Sequence, residues 1–164
     1  MVYVGLGSNL NDPHGQLAAG MNELAELPGT QVEARSSLYE SEPMGPSDQP
    51  DYVNAVVRLR TALSPEALLD GLQAIEQGHG RQRTRRWGAR TLDLDILLYG
   101  ERQIAGPRLR IPHPGIARRN FVLHPLAELD SQLEIPGLGS VAELLAACPK
   151  GRLVRLDAAA QPVV

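Results

Sequence analysis

Val2 to Leu6 is a short, mostly apolar run that halts at Gly7-Ser8-Asn9, the pattern of a strand entering a turn. Asn11 or Asp12 can then cap a helix with Pro13 at its first position, where the missing N–H costs no hydrogen bond. Leu17, Met21, Leu24 and Leu27 recur at helical spacing until Pro28-Gly29 stops the helix. Gln31 to Tyr39 reads as a second strand. Pro43, Gly45, Pro46 and Pro50 make 41–51 an irregular loop, and Tyr52 to Leu59 is a third strand. Ser64-Pro65 opens a second helix with Ala67, Leu68, Leu72 and Ile75 on one face, ending near Gly78 to Gly80. An exposed loop follows, then a fourth strand from Leu92 to Tyr99. Strand, helix, strand, strand, helix, strand is the split βαβ order. It predicts an α+β fold with a ferredoxin-like βαββαβ core, its sheet antiparallel and both helices on one face. Beyond it lie a proline-rich stretch at 107–114, a short helix near 116–129 and a final helix opened by a capping box, Ser140 with Glu143. No repeat or long linker interrupts the chain. Residues 1–164 are therefore expected to form one domain, the C-terminal third packing on the same core.

Composition narrows the class. Hydrophobic residues at 43% supply a core, and 21% charge with a net of −3 does not suggest disorder. The acidic balance argues against bulk nucleic-acid binding. A single cysteine, Cys148, excludes an internal disulfide or a cysteine-rich metal site and is expected as a small core residue. Met1 runs into Val2-Tyr3-Val4 without a basic leader, and no apolar run nears the roughly 20 residues that span a bilayer. A cytoplasmic location without membrane contact is the expectation. The charge is unevenly spread, however. Arg81, Arg83, Arg85, Arg86 and Arg90 crowd one short stretch, with no acid between Glu76 and Asp93.

Immediately after that stretch comes Leu92-Asp93-Leu94-Asp95-Ile96-Leu97-Leu98. On a strand Leu92, Leu94, Ile96 and Leu98 share one face and the two aspartates the other, with Cα atoms about 6.5–7 Å apart. Two such carboxylates can hold one or two hard cations, and Mg²⁺ suits them because it accepts few carboxylates alongside waters and phosphates. Arginine's planar fork grips phosphate through paired hydrogen bonds. The combination describes Mg²⁺-dependent transfer from a polyphosphate. A solvated strand face beside a basic loop is the plainer alternative. A second constellation is Tyr39, Tyr52, Asn54, Trp87 and Phe121, most of the chain's six aromatics with an amide able to donate and accept along the edge of a flat heterocycle. Ordinary sheet packing is the alternative for Tyr39 and Tyr52. His113, between two prolines, with Arg118 and Arg119 can add phosphate contacts, whereas His14, His79 and His124 are isolated. The chain contains no P-loop, no H-E-x-x-H, no C-x-x-C and no G-x-S-x-G. The two glycine-rich stretches, 5–10 and 137–142, do not satisfy the dinucleotide fingerprint.

Arg86-Trp87-Gly88-Ala89-Arg90-Thr91-Leu92-Asp93-Leu94-Asp95-Ile96-Leu97 resembles the signature of the 6-hydroxymethyl-7,8-dihydropterin pyrophosphokinases of folate biosynthesis. Gly7-Ser8-Asn9-Leu10, Glu42-Pro43-Met44-Gly45, Gln49 to Ala55, Gly80-Arg81 and Pro112-His113-Pro114 resemble that family in the same order, so the likeness runs from residue 2 to about 129. It implies transfer of pyrophosphate from the co-substrate ATP to the pterin hydroxymethyl group, releasing AMP. The fold needs no partner, so a monomer acting without nucleic acid is the expectation. Asp93 and Asp95 would hold two Mg²⁺ ions, and Asp95 could also accept the hydroxyl proton. Arg81 and Arg90 would offset transition-state charge. The pterin would lie between Tyr52 and Phe121, read by Asn54, with Ser41, Glu42, Met44 and Gly45 completing the slot and Trp87 closing it. Gln73, Glu76, Arg83, Arg86, Ile96, Arg110, His113 and Arg119 match nucleotide- or substrate-contacting positions. Ala89 and Pro114 depart from residues common in the family. A ferredoxin-like binding module and a kinase that yields ADP are the competing readings. The first leaves the aspartate pair unexplained, and its RNA-binding form lacks the required aromatic motif.

Overall fold

The computed structural model describes residues 1–10, 12–42, 50–79, 91–148 and 153–156. Strand β1 (Val2–Ser8) leads to helix α1 (Pro13–Ala25). The cap is Asp12, whose carboxylate accepts the Gly15 N–H at 3.3 Å, with Pro13 next as expected. The predicted second strand is two strands, β2 (Thr30–Arg35) and β3 (Tyr39–Ser41). Ser36 makes the break. Its N–H donates to the Val56 carbonyl, but its side-chain Oγ, not its carbonyl, accepts the Val56 N–H, both at 2.9 Å. A serine hydroxyl thus stands in for a rung of the ladder.

Strand β4 (Tyr52–Thr61) and helix α2 (Pro65–Gly78) follow, the helix capped by Ser64 Oγ accepting the Ala67 N–H. Next come β5 (Asp93–Tyr99) and two short strands, β6 (Ile104–Ala105) and β7 (Arg110–Ile111), in the region read only as proline-rich. The helix expected near 116–129 is a 3-10 turn at Ile116–Arg118 and a separate α3 (Asn120–Leu129). They part at Arg119, whose backbone is extended, with φ −117° and ψ 99°. A small hairpin, β8 (Glu134–Ile135) with β9 (Gly139–Ser140), precedes α4 (Val141–Ala147) and β10 (Leu153–Arg155). Ser140 caps α4 as predicted, accepting the Glu143 N–H at 3.1 Å.

The main sheet runs β10-β3-β4-β1-β5, with β2 also on β4, and every pairing is antiparallel. Both of its faces are buried. Leu17, Met21 and Leu24 of α1 and Leu68 and Leu72 of α2 cover one face, against Val4, Leu6, Val57, Leu94 and Ile96. The expectation that both helices share a face therefore holds. Packing of the whole C-terminal third on that core does not. Ile111 joins it, but Ile116, Leu123 and Leu126, Ile135, Val141 and Cys148 build a second core on the opposite face, against Tyr3, Val56, Leu97 and Leu98. The reason is in the strands: β1 begins Val-Tyr-Val with all three side chains buried, so it has apolar groups for both sides. Each fully buried leucine contributes about 1.5–3 kcal/mol.

A bulge alters β5. Tyr3 pairs with Leu98 while its neighbour Val4 pairs with Ile96, which leaves Leu97 as the extra residue. Leu98 therefore crosses to the second core instead of sharing a face with Leu92, Leu94 and Ile96 as strict alternation predicts.

Candidate active site

Register places the chemistry on one face of the sheet. Asp93 lies opposite Gly7, Gly7 opposite Asn54, and Asn54 opposite Tyr39. One level further along, Asp95 lies opposite Gly5 and Gly5 opposite Val56. Directly opposed residues project to the same side, so the aspartates, Asn54 and Tyr52 all belong to the face that carries the second core. With two strand spacings between them, the Asn54 and Asp93 backbones are about 10 Å apart. The strand between contributes glycine. An ideal Cβ on Gly5 would meet the Leu97 side chain at 3.4 Å, so the bulge residue roofs that position. A Cβ on Gly7 would meet Asn54 Oδ1 at 3.2 Å and the Tyr52 ring at 3.7 Å. Gly7 is thus a bare floor beside the amide. Asn54 is 5% exposed and its Nδ2 donates to Ser41 Oγ at 2.7 Å. Tyr52 is half-buried and Glu42 exposed.

The opposite wall is built by the segment after β7. His113 is fastened by its own N–H to the Leu97 carbonyl at 3.0 Å, which sets its ring beside the aspartates, Nε2 3.8 Å from Asp95 Oδ1. Nδ1 accepts the Gly115 N–H at 3.1 Å, so it carries no proton and the neutral ring bears its hydrogen on Nε2. Burial, then the nearby Arg119 guanidinium, push the imidazolium pKa down to about 4, against a smaller opposing pull from Asp93. The Arg119 guanidinium stands over the Phe121 ring, 5.8 Å from its centre. His113 therefore borders the aspartates, with Arg119 close to it and the Phe121 ring beneath Arg119.

Among the described residues no three His, Cys, Asp or Glu side chains cluster as a metal cage. Asp93 and Asp95 do fit Mg²⁺, which keeps waters and takes one or two carboxylates plus substrate phosphates. Asp95 is 38% exposed, leaving its carboxylate within reach of solvent and ligand.

The structure brings Asp93, Asp95, Tyr52, Asn54 and Ser41 onto one face of the sheet and sets His113 beside Asp95, with Arg119 near His113 and Phe121 under Arg119. Gln73 sits exposed on α2, where its Oε1 accepts from Arg108 at 3.4 Å, and Arg110 is exposed on β7. Glu76 is buried, its Oε2 accepting the Leu94 N–H at 2.8 Å, and the Ile96 side chain is in the first core. Any nucleotide contact by Ile96 falls to its main chain. Tyr39 is fixed elsewhere: its hydroxyl donates to Glu128 at 2.8 Å, and burial followed by that carboxylate pushes the phenol pKa up. Met44, Gly45, Arg81, Arg83, Arg86, Trp87 and Arg90 lie outside the described residues, as do the arginine stretch and most of the 41–51 loop.

Three supporting residues have roles that the sequence does not spell out. Gly7, like Asn9, stands in the family-like Gly7-Ser8-Asn9-Leu10 segment, where only a turn is legible. Asn9 is 2% exposed and its Nδ2 donates to the Pro50 carbonyl at 2.9 Å, tying the end of β1 to the approach to β4. Glu128, on α3, accepts from the Ser37 N–H and Oγ, Tyr39 and Arg155, binding α3 to β3 and β10. A lone helical glutamate gives no sequence hint of such partners.

The family model for 7,8-dihydro-6-hydroxymethylpterin-pyrophosphokinase matches residues 3–131. The 2-amino-4-hydroxy-6-hydroxymethyldihydropteridine pyrophosphokinase of Pseudomonas aeruginosa is 52% identical over 158 residues, covering 96% of this chain and 98% of that protein. The Haemophilus influenzae enzyme of the same name is 49% identical over 155 residues, covering 94% and 97%. Among solved structures, wild-type Plasmodium falciparum HPPK-DHPS with pteroate superposes with a TM-score of 0.70 at 14% identity, over 89% of this chain. That likeness concerns the fold, and the chain spans 42% of the solved protein's length.

Proposed function

The chain belongs to the 7,8-dihydro-6-hydroxymethylpterin-pyrophosphokinase family, and from that premise we propose that it transfers pyrophosphate from ATP to the hydroxymethyl oxygen of 6-hydroxymethyl-7,8-dihydropterin, with Mg²⁺, for folate biosynthesis. The observation that carries the reading is the juxtaposition of the Asp93–Asp95 pair with Asn54 and Tyr52 across the bare Gly7 position. A flat ring lying on that floor has its polar edge at Asn54 and its substituent directed toward the carboxylates. Tyr52 and Phe121 are its flanking rings, and Ser41, Glu42, Met44, Gly45 and Trp87 complete the slot by family likeness.

In the reaction the hydroxymethyl oxygen forms a bond to the β-phosphorus as the bond between that phosphorus and the oxygen bridging to the α-phosphate breaks. AMP leaves, and the hydroxyl proton passes to Asp95. Asp93 and Asp95 would hold the two ions. Bound Mg²⁺ supplies charge neutralisation and alignment of the triphosphate. Arg81 and Arg90 offset the growing negative charge, while Arg83, Arg86, Arg110, Arg119, Gln73, Glu76, Ile96 and His113 serve the nucleotide. A neutral His113 can donate from Nε2 to a phosphate oxygen without repelling a cation. The strand order β5-β1-β4, with β2 and β3 both beyond β4, supports a ferredoxin-like core, and the sheet shared by both cores supports a single domain, which this reading extends over 1–164 and takes to work as a monomer. Among the described residues no helix is long and apolar enough to cross a membrane. The proposed place of work, on small substrates, is the cytoplasm.

The test is product identification from purified protein, ATP and the pterin, with Mg²⁺ and with EDTA. AMP and a pterin pyrophosphate, both absent with EDTA, are the expected result. ADP would make the enzyme an ordinary kinase, and unchanged ATP with folded protein would leave a binding module.

A further inference from the structure

We propose that Gly115 is a positioning residue: its bare Cα is the seat that holds the Arg119 guanidinium over the Phe121 ring, in place to meet a phosphate of the nucleotide. That the group met is a phosphate rests on the functional reading above; the seating itself does not. Backbone conformation does not call for glycine here. His113 to Ile116 is a turn closed by the Ile116 N–H on the His113 carbonyl at 3.0 Å, with Pro114 second and Gly115 third. Gly115 has φ −92° and ψ 2°, the third-residue geometry of a type I turn, which most residues adopt. Its N–H, donated to His113 Nδ1 at 3.1 Å, is likewise common to every residue but proline. What glycine alone supplies is room. A Cβ on it would stand 2.7 Å from Arg119 Nε, 3.1 Å from Cζ and 3.3 Å from Nη2, all inside ordinary contact distance. The guanidinium therefore lies on the space a side chain would take, while its Cζ is 5.8 Å from the centre of the Phe121 ring. The Arg119 main chain is held in place, because its carbonyl accepts the Val122 and Leu123 N–H groups at 2.9 and 3.0 Å and so starts α3. A methyl group at 115 is thus accommodated by the half-buried arginine side chain, which leaves the ring while the fold is kept.

Phe121 is the only phenylalanine in the chain, so protein grown with 4-fluorophenylalanine carries a single ¹⁹F label under the guanidinium. Ligand-free wild type, G115A, R119A and the double variant are compared, each checked for fold by circular dichroism and urea midpoint. Arg119→Ala is expected to move the resonance, and Gly115→Ala to move it in the same direction. Added to Arg119→Ala, Gly115→Ala should move it no further, since the glycine acts through the guanidinium. A merely structural glycine would shift the signal equally in both backgrounds, and that result, or an unmoved signal in either single variant, overturns the inference. The same four proteins are then titrated calorimetrically with α,β-methylene-ATP and Mg²⁺. Affinity should fall about tenfold or more in Arg119→Ala, roughly three- to tenfold in Gly115→Ala, and in the double variant no further than in Arg119→Ala. Equal affinities beside the expected ¹⁹F pattern overturn the nucleotide role given to the seat. Failure of the wild type to bind nucleotide overturns the functional reading and the phosphate together, while the seating stands or falls on the ¹⁹F signal.

Discussion

At Asp95 several demands meet. Its carboxylate projects from the sheet two residues from Asp93, stands 3.8 Å from a histidine ring, and is the candidate acceptor for the substrate's proton. Asp95→Asn preserves the shape but halves the negative charge offered to a cation. Turnover is expected to fall by roughly a hundredfold or more, while pterin titrated without nucleotide binds as before. Steady-state kinetics beside fluorescence titration checks both halves. His113 makes a separate prediction. Burial disfavours the imidazolium, so with its pKa lowered to about 4 the ring stays neutral from pH 8 down to 5.5, with the proton on Nε2. Ring ¹⁵N shifts of the nucleotide-free protein should show an unprotonated Nδ1 throughout that range, and a titration midpoint near 6.5 would contradict the burial account.

At the scale of elements, the legible parts were those with a strict period. α1 and α2 follow from leucine spacing and their Asp12 and Ser64 caps, and the aspartates of β5 from alternation. What sequence hid were departures from period. Nothing in Gln31 to Tyr39 marks Ser36 as the residue whose hydroxyl replaces a backbone acceptor, because serine takes part in ladders and turns alike. The Leu97 bulge is silent too, since a leucine run looks the same whether or not one residue is extra. In the candidate site the charged and aromatic residues were readable by type, whereas Gly7 matters through what it lacks. The break at Ser36 is testable. Ser36→Ala removes the acceptor of the buried Val56 N–H and should cost about 1–3 kcal/mol, read as a shift in the urea midpoint at constant slope.

For the whole molecule, one sheet with a core on each face means that the two cores share their strands. Leu72→Ala on one side and Leu123→Ala on the other each empty a fully buried site. Each should cost about 2–5 kcal/mol, and because the sheet cannot survive the loss of either face, both variants should melt in one transition. Calorimetry showing two separated peaks in either variant would mean that the cores are independent.

β5 is also where the sheet stops. On that outer edge the Leu94 N–H is taken by the Glu76 carboxylate and the Leu97 carbonyl by the His113 N–H. Glu76 and His113 thus occupy rungs that a strand from another molecule would need in order to dock there, and the bulge at Leu97 bends the edge away from the flat geometry such docking requires. Crowded copies of the folded chain are denied this route to ribbon-like aggregation, so two residues proposed to serve the nucleotide also shield this edge.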